Sequence, residues 1–160
     1  MKSILSAIFL TVAMSLPAKA QQVAFGGMQQ DPSAPVEISA DQLSVDQNDG
    51  SAVFSGNVVI GQGEMRLSAG RVVVVYAEAG DAIERMQATG GVTLVNGGEA
   101  AEAETAEYTI NSGQIVMRGS VLVTQGANAL TADSMVVNLT DGTAQMEGRV
   151  RTVLQSGDDN

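Results

Sequence analysis

The sequence predicts an all-β protein made of repeated antiparallel hairpins, folded over into a V or flattened roll with one apolar interior and two open ends. Three observations lead there. A unit of 29 residues recurs along the chain and is lengthened once to 34. Inside each unit apolar and polar residues alternate with the period of a strand. A glycine recurs on the inward parity of every returning strand, where glycine marks a bend or bulge.

The repeat is read from two markers. The first is an apolar residue, a spacer, an alanine and a small or acidic residue: Ile38-Ser39-Ala40-Asp41, Leu67-Ser68-Ala69-Gly70, Ala101-Glu102-Ala103-Glu104 and Leu130-Thr131-Ala132-Asp133. The second is a glycine followed two places later by valine, at Gly56, Gly90, Gly119 and Gly148. Both markers share one phase, and the five extra residues fall between Ala69 and Gly90, near Ala77 to Arg85.

Each unit reads as one long hairpin. Its outgoing strand carries inward residues such as Leu43 and Val45, Val72, Val74 and Tyr76, Tyr108 and Ile110, or Met135, Val137 and Leu139. Turns follow at Asn48-Asp49-Gly50, Asn111-Ser112-Gly113 and Asp141-Gly142, where Gly and Asn accept positive φ. The returning strand brings Phe54, Met117 or Met146 to the glycine and then Val58 and Ile60, Val92 and Leu94, Val121 and Val123, or Val150. Second turns are expected at Gly61-Gln62-Gly63 and Asn96-Gly97-Gly98, and Asp81 to Ala88 reads as a loop extending a hairpin. Four corner glycines in register (Gly56, Gly90, Gly119, Gly148) fold the sheet over on itself.

The ends read differently. Lys2, the apolar run Ile4 to Leu16 and Ala18-Lys19-Ala20 have the form of a secretory signal peptide, so residues 1–20 are expected to be cleaved after Ala20. The run is shorter than the roughly 20 residues of a membrane span; the alternative is an uncleaved anchor. Residues 21–34 are expected to be a flexible segment, 35–154 the β domain, and 155–160 a disordered acidic tail.

Beyond the leader there are six arginines, no lysine and eighteen carboxylates, a net charge of −12. That excludes the clustered basic surface a nucleic-acid partner needs. The chain has no His and no Cys, and its lysines lie in the leader, which removes Ser-His-Asp triads, His or Cys metal sites, thiol nucleophiles and Schiff-base chemistry. No cofactor and no metal are expected. A paired-carboxylate enzyme stays open on composition, but Asp41 and Asp133 recur because the repeat recurs.

The inward set also includes Val36, Ile38, Met65, Leu67 and Leu130. It has two readings. An ordinary packed core is one, giving a structural or adhesive β-repeat protein. A lipid-binding groove is the other, supported by few aromatics, by inward methionines (Met65, Met117, Met135, Met146) that adapt to irregular apolar ligands, and by repetition along an axis. At about 0.8 kcal/mol per methylene, a twelve-carbon acyl chain would gain on the order of 10 kcal/mol before entropy is subtracted. Each end of such a stack is an unpaired edge. The charged edge Arg149-Val150-Arg151-Thr152-Val153 either guards against aggregation or pairs with another chain.

Pro35-Val36-Glu37-Ile38-Ser39-Ala40-Asp41-Gln42 resembles the start of the LptA (OstA-like) family domain. Phe54-Ser55-Gly56-Asn57-Val58-Val59-Ile60-Gly61-Gln62-Gly63 resembles that family's F-[ST]-G-N-V-x-[VI]-x-Q-G motif, and Ala103-Glu104-Thr105-Ala106-Glu107-Tyr108 its A-[DE]-x-A-x-Y element. The resemblance covers residues 35–154. It implies a β-jelly-roll open as a V and a periplasmic, Gram-negative setting. It also implies a bridge that carries lipopolysaccharide from inner to outer membrane, held by its lipid A acyl chains, with Val36 and Ile38 as lipid contacts. The implied partners are LptC-like and LptD-like proteins and further copies of itself, joined head to tail by edge strands. This chain departs from the family at Gly70, where an acidic residue is usual, and in lacking lysine beyond the leader.

Overall fold

The computed structural model describes residues 33–155 apart from 79 and 81. The expected leader, most of the 21–34 segment and the tail after residue 155 lie outside the described residues. Ten strands follow one another: β1 (Val36–Ser39), β2 (Gln42–Asp46), β3 (Ser51–Gln62), β4 (Met65–Tyr76), β5 (Ile83–Asn96), β6 (Glu99–Thr109), β7 (Gln114–Gln125), β8 (Asn128–Asn138), β9 (Thr143–Glu147) and β10 (Arg151–Val153). No helix occurs among the described residues.

All ten strands form one antiparallel sheet, in the order β1-β3-β4-β5-β6-β7-β8-β10. β2 also pairs with β3, and β9 with β8. The pairs β1/β2 and β9/β10 are therefore the two halves of broken outer strands. The chain is an eight-position meander whose sequential neighbours are spatial neighbours, as the hairpin repeat predicts.

The four corner glycines all take positive φ, from 77° to 86°. The residue after each is also left-handed: Asn57 (46°), Gly91 (80°), Ser120 (48°) and Arg149 (46°). On β3 the pair Gly56-Asn57 opposes the single residue Gly70, because Ser55 faces Arg71 and Val58 faces Ala69. The same bulge recurs between Thr89 and Val92 on β5 and between Arg118 and Val121 on β7. An extra residue on one strand bends it sharply. Repeated in register, the bulges divide the sheet into two wings. One wing holds β1, β10 and the strand segments between the glycine corner and the turns at 63–64, 97–98 and 126–127. The other holds β2, β9 and the remaining halves.

The inner faces of the wings cover each other and make one core. Cross-strand partners lie on the same face, so rows of side chains run across the sheet. One row is Phe54, Val72, Ala88, Ala106, Met117 and Met135. Another, on the opposite wing, is Ile38, Ile60, Leu67, Leu94, Ala101, Val123 and Leu130. The wings are tied where the Tyr108 hydroxyl, on one, donates to Gln62 Oε1, on the other, at 2.8 Å.

Two local expectations are corrected. Of the stretch Asp81 to Ala88, expected as a loop, residues 83–88 are strand: β5 begins at Ile83, and Met86 and Ala88 are buried in the core opposite Val74 and Val72. Their alternation continues the inward parity of Val92 and Leu94 once the two-residue bulge is allowed for. Gly61-Gln62-Gly63 is not the turn: β3 runs through Gln62, which is buried, and the chain reverses at Gly63 and Glu64.

Candidate functional site

The candidate site is the space between the wings. Of the residues expected to line it, Val58, Ile60, Met65, Leu67, Val72, Val74, Val92, Leu94, Tyr108, Met117, Val121, Val123, Met135, Val137 and Leu139 are buried. Val36, Ile38, Phe54, Tyr76, Ile110, Leu130 and Met146 are half-buried against them. Ile115 belongs with the first group, being fully covered, as do the small residues Ala52, Ala101 and Ala106. The alternation that marks Met117 marks Ile115 equally.

Three expected lining residues are not covered. Leu43 is 57% exposed, Val45 61% and Val150 51%. Leu43 and Val45 do face inward, opposite Phe54 and Ala52. They lie on an outer half-strand, beyond which no further strand or opposing wing covers them. Val150 falls in the break between β9 and β10. The interior is thus closed along its middle and uncovered at both edges. A cleft of about 660 Å³ lies at the first edge, where Val45 and Tyr76 line it with the turn around Asp49.

One lip of the interior is polar. Gln62, Asn96 and Glu99 are buried, at 1%, 5% and 4% exposure, at the tip of the wing that carries the 97–98 turn. Glu99 Oε1 accepts from Gln125 Nε2 at 2.6 Å, and Gln62 Nε2 donates to the Ala34 carbonyl at 2.9 Å. Asn96 Nδ2 and Glu99 Oε2 have no partner. An unmatched buried polar atom costs about 1–3 kcal/mol. Sequence reasoning missed this lip because Asn96 reads as part of a turn, although it continues the parity of Val92 and Leu94. The opposing lip is apolar, with Tyr76, Ile83, Ile110 and Leu139. Burial pushes the Tyr108 hydroxyl above its ordinary pKa.

The corners have their own chemistry. A Cβ on Gly56 would stand 2.9 Å from Asp41 Cβ, on Gly119 2.8 Å from Glu104 Cβ, and on Gly148 2.7 Å from Asp133 Cβ. Each acidic residue therefore lies over a bare glycine. Asp41 Oδ2 accepts from Asn57 Nδ2 at 2.8 Å, and Asp133 Oδ1 pairs with the Arg149 guanidinium at 2.6 Å. Asp41 and Asp133 are six strand positions apart in the sheet, roughly 25–30 Å at the usual strand spacing, so they are not a two-carboxylate site. No group of three or more His, Cys, Asp or Glu that could hold a metal occurs among the described residues.

Comparison with known proteins fits this geometry. Residues 37–143 match the family model described as LptA/(LptD N-terminal domain) LPS transport protein. An uncharacterised protein of Rhizobium meliloti is 28% identical over 154 residues, covering 89% of this chain and 83% of its own. Among solved structures, LptH of Pseudomonas aeruginosa, described as the LptA-homologous periplasmic component of the lipopolysaccharide transport device, superposes with a TM-score of 0.70 at 20% identity. The match covers 79% of this chain and 99% of LptH.

Proposed function

Because the chain belongs to the LptA/(LptD N-terminal domain) family of LPS transport proteins, we propose that it is a periplasmic bridge that passes lipopolysaccharide between the membranes. The acyl chains of the lipid would lie between the wings. The observation that carries this reading is the continuity of the apolar inner rows from one uncovered edge of the sheet to the other. Leu43 and Val45 extend them beyond the closed middle at the first edge. Apolar transfer supplies the affinity, which suits a chain too acidic to hold an anionic headgroup in a basic cradle.

The same edges suit assembly. β1/β2 and β9/β10 each have a neighbour on one side only. An unpaired edge accepts a strand from another chain. Pairing of the first edge with the last edge of a second copy would continue the inner rows, and LptC-like and LptD-like partners would extend them at either end.

A second reading draws on the closed middle. Val72, Val74, Leu94, Ile115, Met117 and Leu139 are fully covered, as in an ordinary packed β-repeat. The two readings part on whether the wings open for lipid. The test is photocrosslinking in cells, with the probe at Ile38, which faces Ile60, or at Ser39, which faces outward beside Val59. Lipopolysaccharide adducts at Ile38 and not at Ser39 are expected. Adducts at neither, with folded protein in the periplasm, favour the packed repeat.

A further inference from the structure

We propose that the polar lip at Asn96 and Glu99 is a recognition site for a hydroxyl or secondary amide at the head of a bound acyl chain. The inference rests on the lipid-carrying reading and adds to it what part of the lipid is selected, and where.

The two residues face each other across the β5–β6 hairpin as direct partners in the ladder. Both are more than nine-tenths buried, and both point to the inner face, in phase with Leu94 and Ala101. Asn96 Nδ2 is a donor and Glu99 Oε2 an acceptor, and both lack a partner, so the two do not bond one another. The neighbouring polar groups are engaged elsewhere: Gln125 Nε2 is given to Glu99 Oε1, and Tyr108 to Gln62 Oε1. The free pair is therefore one donor and one acceptor side by side, both covered, at the lip of the apolar interior. A hydroxyl, or an amide with its N–H and C=O, answers both at once. A plain hydrocarbon or an ester answers at most the donor. Burial sharpens the selectivity, because a ligand that leaves either group unmatched forfeits the bond without returning it to water.

The test is calorimetric titration of the folded protein below the micellar concentration with two ligands of equal chain length. One is the N-methyl amide of β-hydroxymyristic acid; the other is methyl myristate. The hydroxy-amide is expected to bind about tenfold more tightly, on the order of the one further hydrogen bond it makes, to Glu99 Oε2. Glu99→Leu is expected to bring the two ligands to equal affinity, because it removes the acceptor that the ester cannot answer, and Asn96→Leu to weaken both by removing the donor they share. Asn96→Leu touches none of the hydrogen bonds described above, so it keeps the test open if Glu99→Leu disturbs Gln125. Equal binding of both ligands by the unmodified protein, a preference that survives Glu99→Leu, or affinities that Asn96→Leu leaves unchanged would overturn the inference and leave the lipid-carrying reading in place. Failure of both ligands to bind would overturn the two together.

Discussion

Asp133 grips both members of the last corner. Its backbone N–H donates to the Gly148 carbonyl at 2.9 Å, and its carboxylate takes the Arg149 guanidinium at 2.6 Å. Asp41 does the same at the first corner, donating to the Gly56 carbonyl at 2.9 Å and accepting from Asn57. A side chain in the left-handed region is strained, and at these two corners the strained residue is tethered by the acid over the neighbouring glycine. The second corner lacks the acid, having Gly70 instead, and there the strained position is itself a glycine, Gly91.

The corner glycines should be intolerant of a methyl group. Gly119→Ala meets both an unfavourable φ of 86° and the Glu104 side chain. Gly126→Ala, at a turn with φ of 56°, meets nothing within 4 Å. Urea unfolding should show Gly126→Ala costing about 1 kcal/mol and Gly119→Ala at least about 2–3 kcal/mol. Equal costs would mean that the Glu104 contact is unimportant.

Position within the sheet should outweigh residue type. Met117→Ala empties a fully covered site and should destabilise by about 2–5 kcal/mol. Leu43→Ser, on the uncovered first edge, should cost about 1 kcal/mol or less. Thermal and urea unfolding of the pair checks the contrast.

Acid should weaken the last corner. Hydrogen bonding from Arg149 holds the Asp133 carboxyl below its ordinary range. A depressed folded pKa contributes stability that is complete above the unfolded value, near pH 4, and disappears as pH falls through the folded one. Both groups are solvent-exposed, so the effect is small and salt-sensitive. The difference in stability between the unmodified protein and Asp133→Asn should be constant from pH 7 to about 5 and shrink below about 4. A difference that grows on acidification contradicts the assignment.

Alkali should act at the tie between the wings. Burial raises the Tyr108 pKa, so its neutral form favours the folded state. That contribution is complete below the unfolded value, near 10, and is lost as pH rises toward the folded one. Tyr108→Phe should flatten the loss of stability above about pH 10 and, by removing the bond to Gln62, cost about 0.5–1.5 kcal/mol at neutral pH.

The repeat, the strand parity, most of the turns and the four corners are legible in the order of residues alone. Each of these is local: alternation of two, turn residues that accept positive φ, and a glycine where the chain must bend. Tertiary structure alone decided which inward residues are covered. Leu43 and Met117 have the same parity and similar apolarity, yet only Met117 has a strand on each side and an opposing wing. It also decided that Asn96 and Glu99, polar residues beside a turn, are buried. Their burial depends on neighbours distant in sequence, such as Gln125, which bonds Glu99 from the next strand, and no short window of sequence contains both.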